Sequence, residues 1–267
     1  MAFAPVLGIS AVVLYLLAGF LAGRAVQLPL GGRAAPLAAL AAVLLHAGFH
    51  AAAIVHRGGV DLHFHSALSW VGLGVAAVTL AVSAWRPVLA LGAVAFPIAA
   101  ATLVLYLAFG GDAGVPPPID WRIQLHAFLA LLAYAALSVA ALVALMLLFQ
   151  ERALRQHQLR RLLVGFPPLT LAETLLFRLI GSGFVLLTLA LVTGMLFVDD
   201  LLAQHLMHKT VLSVLAWIVF GALLFGRVRA GWRGRRAVHL VLVAMLLLLL
   251  AFFGSKFVLE LLLGRGG

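Results

Sequence analysis

The chain has 267 residues, 65% of them hydrophobic and 10% charged, where an ordinary soluble domain carries about 25% charged residues. Together with a mean hydropathy of +1.20, this excludes a soluble globule, and it excludes a disordered chain, which needs low hydrophobicity and high charge. The net charge is +10, and the absence of cysteine leaves no disulfide, no thiolate metal site and no Cys-x-x-Cys-His haem attachment, so a metal or cofactor must be held by His or oxygen.

A helix crossing the bilayer core needs about 20 apolar residues. Eight segments qualify, at 3–23, 35–55, 65–84, 88–109, 123–149, 176–198, 208–226 and 237–262. They are separated by Gly31-Gly32, Arg57-Gly58-Gly59, Trp85-Arg86-Pro87, Gly110-Gly111 with Pro116-Pro117-Pro118, and Pro167-Pro168, residues that stop helices. The fold expected is an all-α, polytopic membrane helix bundle, with residues 1–267 forming one integral membrane domain. The first span has no Lys or Arg before Arg24; lacking the basic start of a secretory signal, it is expected to be retained. The stretch 150–175 reads as the end of span five, a basic turn and an interfacial helix on an anionic membrane surface.

Bases mark the cytoplasmic side of a membrane protein. Twelve of them lie in or beside the connections after spans one, three, five and seven: Arg24, Arg33, Arg86, Arg152, Arg155, Arg160, Arg161, Arg227, Arg229, Arg233, Arg235 and Arg236. The opposite side holds four: Arg57, Arg122, Lys209 and Arg265. Both termini are therefore expected outside the cytoplasm, and the positive charge reflects topology rather than a nucleic-acid partner. The lipid bilayer is the partner read from composition.

No Gly-Lys-Ser/Thr loop, His-Glu-x-x-His or Gly-x-Ser-x-Gly is present, which disfavours nucleotide hydrolysis and proteolysis. Whether any reaction is catalysed stays open. Ten histidines in so apolar a chain are unusual, and an imidazole in hydrocarbon is costly unless paired. His46 maps near the middle of span two, with His50 on the same helix face four residues on; His205 and His208 form a second same-face pair. Such pairs suit a metal or haem iron, and equally suit interhelical hydrogen bonds. His126 lies one turn inside span five, at the depth at which His208 opens span seven. His63 and His65 sit at a loop junction, and His157 and His239 read as solvated neighbours of arginines. Glu173 with Arg178 and Lys256 with Glu260 read as structural pairs.

The second half contains LHAFLALLAYA at Leu125 to Ala135, FPPLTLAETLLFRLIGSGFVLLTLALVTG at Phe166 to Gly194, a long segment from His208 to Met245, and FFGSKF at Phe252 to Phe257. In order and spacing these resemble the cytochrome c assembly family of membrane haem-handling proteins, the group of CcsA-type, CcmC-type and HemX-like proteins, and within it the small eight-span YpjD-like branch. The resemblance is strongest over 121–258. It implies haem as cofactor, His126 as an external haem ligand and His46 as counterpart of an intramembrane ligand, a bacterial-type inner-membrane location, and a membrane protein partner. The family's tryptophan-rich outer motif is missing, with Asp199-Asp200, His205 and His208-Lys209-Thr210 in its place. A haem-binding, sensing or accessory role is therefore expected ahead of haem transfer.

The leading expectation is haem bound at the outer face, with His126 as one axial ligand of the iron and His208 or His205 as the other, and with His46 and His50 as further candidates. Two alternatives come from other classes: a small-solute transporter or permease gated by the outer histidines, and a non-catalytic subunit of a membrane complex.

Overall fold

Each of the eight segments expected from hydropathy overlaps a helix in the computed structural model, which describes residues 3–25, 33–85, 88–110, 120–155, 166–197 and 204–254, so that positions 255–262 of the eighth lie outside the described residues. In chain order these are α1 (Phe3–Ala25), α2 (Ala34–Arg57), α3 (Phe64–Trp85), α4 (Gly92–Phe109, after a 3-10 turn at Leu89–Leu91), α5 (Trp121–Arg155), α6 (Leu169–Phe197), α7 (Gln204–Ala230) and α8 (Arg235–Leu249, followed by a π-helical segment at Leu250–Gly254). No strand occurs among the described residues. All eight helices are long and apolar enough to cross a membrane.

The boundaries differ from expectation mainly between spans five and six. Residues 150–155 continue α5, and α6 starts at Leu169, directly after Pro167-Pro168. Proline lacks an N–H and cannot extend a preceding helix, but it is tolerated where a helix begins. The stretch expected to hold an interfacial helix is thus taken up at both ends by the two spans; its centre, 156–165, lies outside the described residues, as does the Lys256–Glu260 pair. Glu173 accepts a hydrogen bond from the Gly234 N–H at 3.1 Å, so its partner is the turn before α8, and Arg178 is exposed.

The chain divides into two compact units. The first contains α1 to α4, with residues 149–168. Its core is built on small side chains: Ala11, Ala18, Ala39, Ala42, Ala76 and Ala99 are fully buried around Tyr15, Phe96 and Leu103. Small residues let helix backbones approach closely, which matters in lipid because the hydrophobic effect does not drive helices together there. On α2 the buried stripe runs Ala35, Ala39, Ala42, His46, Phe49 and His50, a helical spacing of three and four that carries both histidines to the inside. The helix ends at Gly58, whose φ of 75° is the left-handed conformation glycine adopts without steric cost.

The second unit contains α5 as far as Leu148, with α6, α7 and α8. The inner face of α6 runs Ala172, Leu176, Leu179, Gly183, Leu187, Ala190 and Gly194, again at spacings of three and four. Leu137 of α5 meets it at Gly183, where a Cβ would lie 2.6 Å from the leucine side chain, and Phe220 of α7 and Leu248 of α8 are buried in the same unit.

Candidate functional site

Within the second unit α5, α6, α7 and α8 enclose a cavity of about 640 Å³, inside the roughly 300–1,000 Å³ range of small-molecule and cofactor sites. Its walls are mostly apolar: Ala130, Leu187, Leu191, Leu248 and Ala251 with the rings of Tyr134, Trp217 and Phe252. Val192, Met195 and Val214 line it and are also exposed, so it opens to the outside of the unit.

The polar atoms deep in this cavity are satisfied by the protein itself. The Tyr134 hydroxyl donates to the Leu248 carbonyl, just ahead of the π segment. Trp217 donates from Nε1 to the Thr188 hydroxyl at 2.9 Å, and Thr188 in turn donates to the Phe184 carbonyl at 2.8 Å. Phe184 stacks on the Trp217 indole at 5.5 Å.

His126 is different. Its Nδ1 lies 2.9 Å from the Ala190 carbonyl oxygen, and because a carbonyl only accepts, Nδ1 carries the proton. In the neutral ring Nε2 then holds a lone pair, and no protein group among the described residues takes it. A backbone carbonyl on one ring nitrogen is how metal-ligating histidines are held in tautomer and orientation. The same protonation pattern leaves Nε2 unable to donate to a carbonyl ligand, so a metal suits the position better than a quinone. Room for the ring comes from Gly194: a Cβ there would lie 2.9 Å from His126 Cε1. The residues present therefore fit a haem in one respect the structure can test, a tautomer-fixed imidazole facing an apolar cavity.

The other expected site residues lie elsewhere. His208 is exposed on α7 and is not among the residues lining the cavity. The side chain of His205 lies outside the described residues. His46 and His50 are buried in the first unit, with their Nε2 atoms 2.9 and 3.1 Å from one hydroxyl, that of Ser69. A serine hydroxyl has one donor and two acceptor sites, enough for both imidazoles. His46 Nδ1 is 3.3 Å from the Tyr15 hydroxyl, and His50 stacks on Trp70 at 4.0 Å. The cavity beside His50 measures about 10 Å³, the scale of a single water, not of a macrocycle. Among the described residues no group of three or more His, Asp or Glu could hold a metal ion.

A second buried cluster closes one end of the first unit. Asp61 forms an ion pair with Arg57 at 3.0 Å, meets His63 Nδ1 at 2.7 Å and accepts from the Tyr106 hydroxyl at 3.2 Å. Arg57 also donates to the Gly110 carbonyl at 2.8 Å, and His65 stacks on Phe109 at 5.4 Å. These contacts tie the end of α2, the start of α3 and the end of α4 together.

Residues 34–263 match the family model described as Cytochrome C assembly protein. The chain belongs to the cytochrome c assembly family. Among curated relatives it is 40% identical over 157 residues, 58% of this chain and 56% of the other, to an uncharacterized 28.8 kDa protein of Azospirillum brasilense. It is 39% identical over 137 residues to the inner membrane protein YpjD of Escherichia coli K12, 51% and 52% of the two chains. With the cytochrome c biogenesis protein CcsA of Guillardia theta it shares 26% identity over 164 residues, 55% and 52% of the two chains. The matched regions thus span about half the length of these relatives. No solved structure gives a significant match.

In this member of the family several residues that make buried contacts carry little signal in the sequence. Ser69 stands between Leu68 and Trp70 with nothing in the sequence to mark it as the partner of two histidines, Tyr15 lies in an apolar span, and Asp61 lies in the turn between two spans. The i, i+4, i+8 series Lys209, Ser213 and Trp217, all cavity-lining, was the legible signal for the α7 wall.

Proposed function

We propose that this cytochrome c assembly protein is a multi-pass inner-membrane protein that binds haem in the cavity of its second unit, through His126, and serves haem handling or cytochrome biogenesis. The observation that carries the reading is the His126 imidazole, tautomer-fixed by the Ala190 carbonyl and facing a cavity of about 640 Å³. Two relatives support it by name: the Escherichia coli protein is called an inner membrane protein and the Guillardia theta protein a cytochrome c biogenesis protein. Bound haem would supply an iron open to ligation; this chain supplies the nitrogen, the apolar walls and the exclusion of water.

His126 is the one axial ligand this reading retains. His208 is exposed and off the cavity wall, and both ring nitrogens of His46 are occupied by Tyr15 and Ser69. Haem titrated into the detergent-purified full chain is expected to give a shifted Soret band. His126→Ala should abolish that shift, while His208→Ala and His46→Ala should retain it. A shift that survives in His126→Ala, or one lost in His46→Ala alone, removes the site from this cavity.

A further inference from the structure

The polar side chains buried in the first unit form two clusters, and the hydrogens of the one around Ser69 can be placed in turn. Tyr15 is fully buried, and among the described residues its hydroxyl has one hydrogen-bond partner, His46 Nδ1 at 3.3 Å. Buried donors are paired almost without exception, so Tyr15 donates and His46 Nδ1 accepts. A charged imidazole is costly in hydrocarbon, and a neutral ring carries a single proton. The His46 proton is therefore on Nε2 and goes to the Ser69 oxygen at 2.9 Å. The Ser69 hydrogen then has one acceptor left, His50 Nε2 at 3.1 Å, which puts the His50 proton on Nδ1.

His50 is 1% exposed, and among the described residues no protein group accepts from its Nδ1. The ring stacks on Trp70 at 4.0 Å and on Tyr106 at 5.6 Å. With both of them, and with Ser66 and Asp61, it lines the cavity of about 10 Å³. Two of the lining oxygens are set to receive hydrogens. Ser66 gives its own to the Asp61 carbonyl at 2.8 Å, and Tyr106 gives its own to the Asp61 carboxylate at 3.2 Å, so each hydroxyl keeps only lone pairs. The carboxylate has none to spare, because Arg57, the His63 backbone N–H, His63 Nδ1 and Tyr106 all donate to it.

We infer that this cavity is a binding site for one water molecule, which accepts from His50 Nδ1 and donates to Ser66 Oγ and Tyr106 Oη. The volume admits a single water, and a buried water makes about three hydrogen bonds, as many as these groups offer. A halide could take the His50 N–H but not the two oxygens, and the Asp61 carboxylate beside it repels an anion. The water joins Tyr15 of α1, both histidines of α2, Ser66 and Ser69 of α3 and Tyr106 of α4 into one chain whose donors all run from Tyr15 toward Asp61. It keeps the His50 proton on Nδ1 and the His50 lone pair on Ser69, so neither imidazole of the pair is free to ligate. The site stands on the first unit alone and is independent of haem binding in the second.

Nitrogen NMR of the detergent-purified full chain, isotope-labelled at the histidine ring nitrogens, tests the site. His46 is expected to be protonated on Nε2 and His50 on Nδ1, the two assigned by the signals lost in His46→Gln and His50→Gln. The His50 Nδ1–H should show a cross-peak to water, and Ser66→Val, whose methyl groups take up the cavity, should remove it. A wild-type His50 protonated on Nε2, an Nδ1–H with no water cross-peak, or a cross-peak that survives in Ser66→Val overturns the inference. A density map that resolves ordered water is a second readout and needs no variant. Water density within hydrogen-bond distance of His50 Nδ1, Ser66 Oγ and Tyr106 Oη supports the site, and no density there, or density of a heavier halide, overturns it.

Discussion

Ser69 shows how much one small side chain decides in the first unit. Its hydroxyl is within hydrogen-bond distance of both His46 and His50, and without it two buried imidazoles lose a partner. A buried polar group left unsatisfied costs about 1–3 kcal/mol. Ser69→Ala is therefore expected to lower the thermal midpoint of the detergent-purified protein and to leave its haem spectrum unchanged; an unaltered midpoint would mean that water replaces the hydroxyl. His126 makes the complementary case. It too has one nitrogen held by the protein, but by a carbonyl of α6 and at the edge of a cavity, so its second nitrogen has no protein neighbour among the described residues. Histidine, read in sequence, is the same letter in both places. What separates a packed imidazole from an available one is whether a hydroxyl from another helix reaches it, and nothing within four residues of His46 or His126 records that.

Among the elements, α6 is the one that builds the site. Its inner stripe ends in Ala190 and Gly194, one supplying the carbonyl to His126 and the other the space for its ring. Valine at 194 favours helix slightly over glycine, so Gly194→Val should preserve α6 while pushing His126 away. Overpacking costs about 1–3 kcal/mol, which predicts haem affinity lowered by about tenfold in the same Soret titration. Unchanged affinity would show that the ring has slack to move. The period of the stripe was readable, since Leu176, Leu179, Gly183, Leu187, Ala190 and Gly194 repeat at three and four. That Gly194 faces a histidine was not, because it lies 68 residues after His126, a separation that no periodicity spans.

At the scale of the whole molecule the firmest expectation concerns topology. Bases concentrate on alternate connections, from which the positive-inside rule predicts a C-terminus outside the cytoplasm. A C-terminal alkaline phosphatase fusion should be active and a cytoplasmic reporter at the same position silent; the reverse pattern would overturn the orientation and the assignment of an outer face. Hydropathy, proline and glycine by themselves determined eight helices, their order and most of their ends, because crossing lipid requires each helix to satisfy its own backbone and be apolar along its length. The quoted motifs by themselves pointed to the cytochrome c assembly family, which the match over 34–263 shows. Only the tertiary structure decided which histidine is available. His46, His50 and His126 share the same local chemistry, and their difference arises where separate helices meet: at Ser69 the polar atoms close on one another, while around His126 the helices stand apart and leave a space of about 640 Å³.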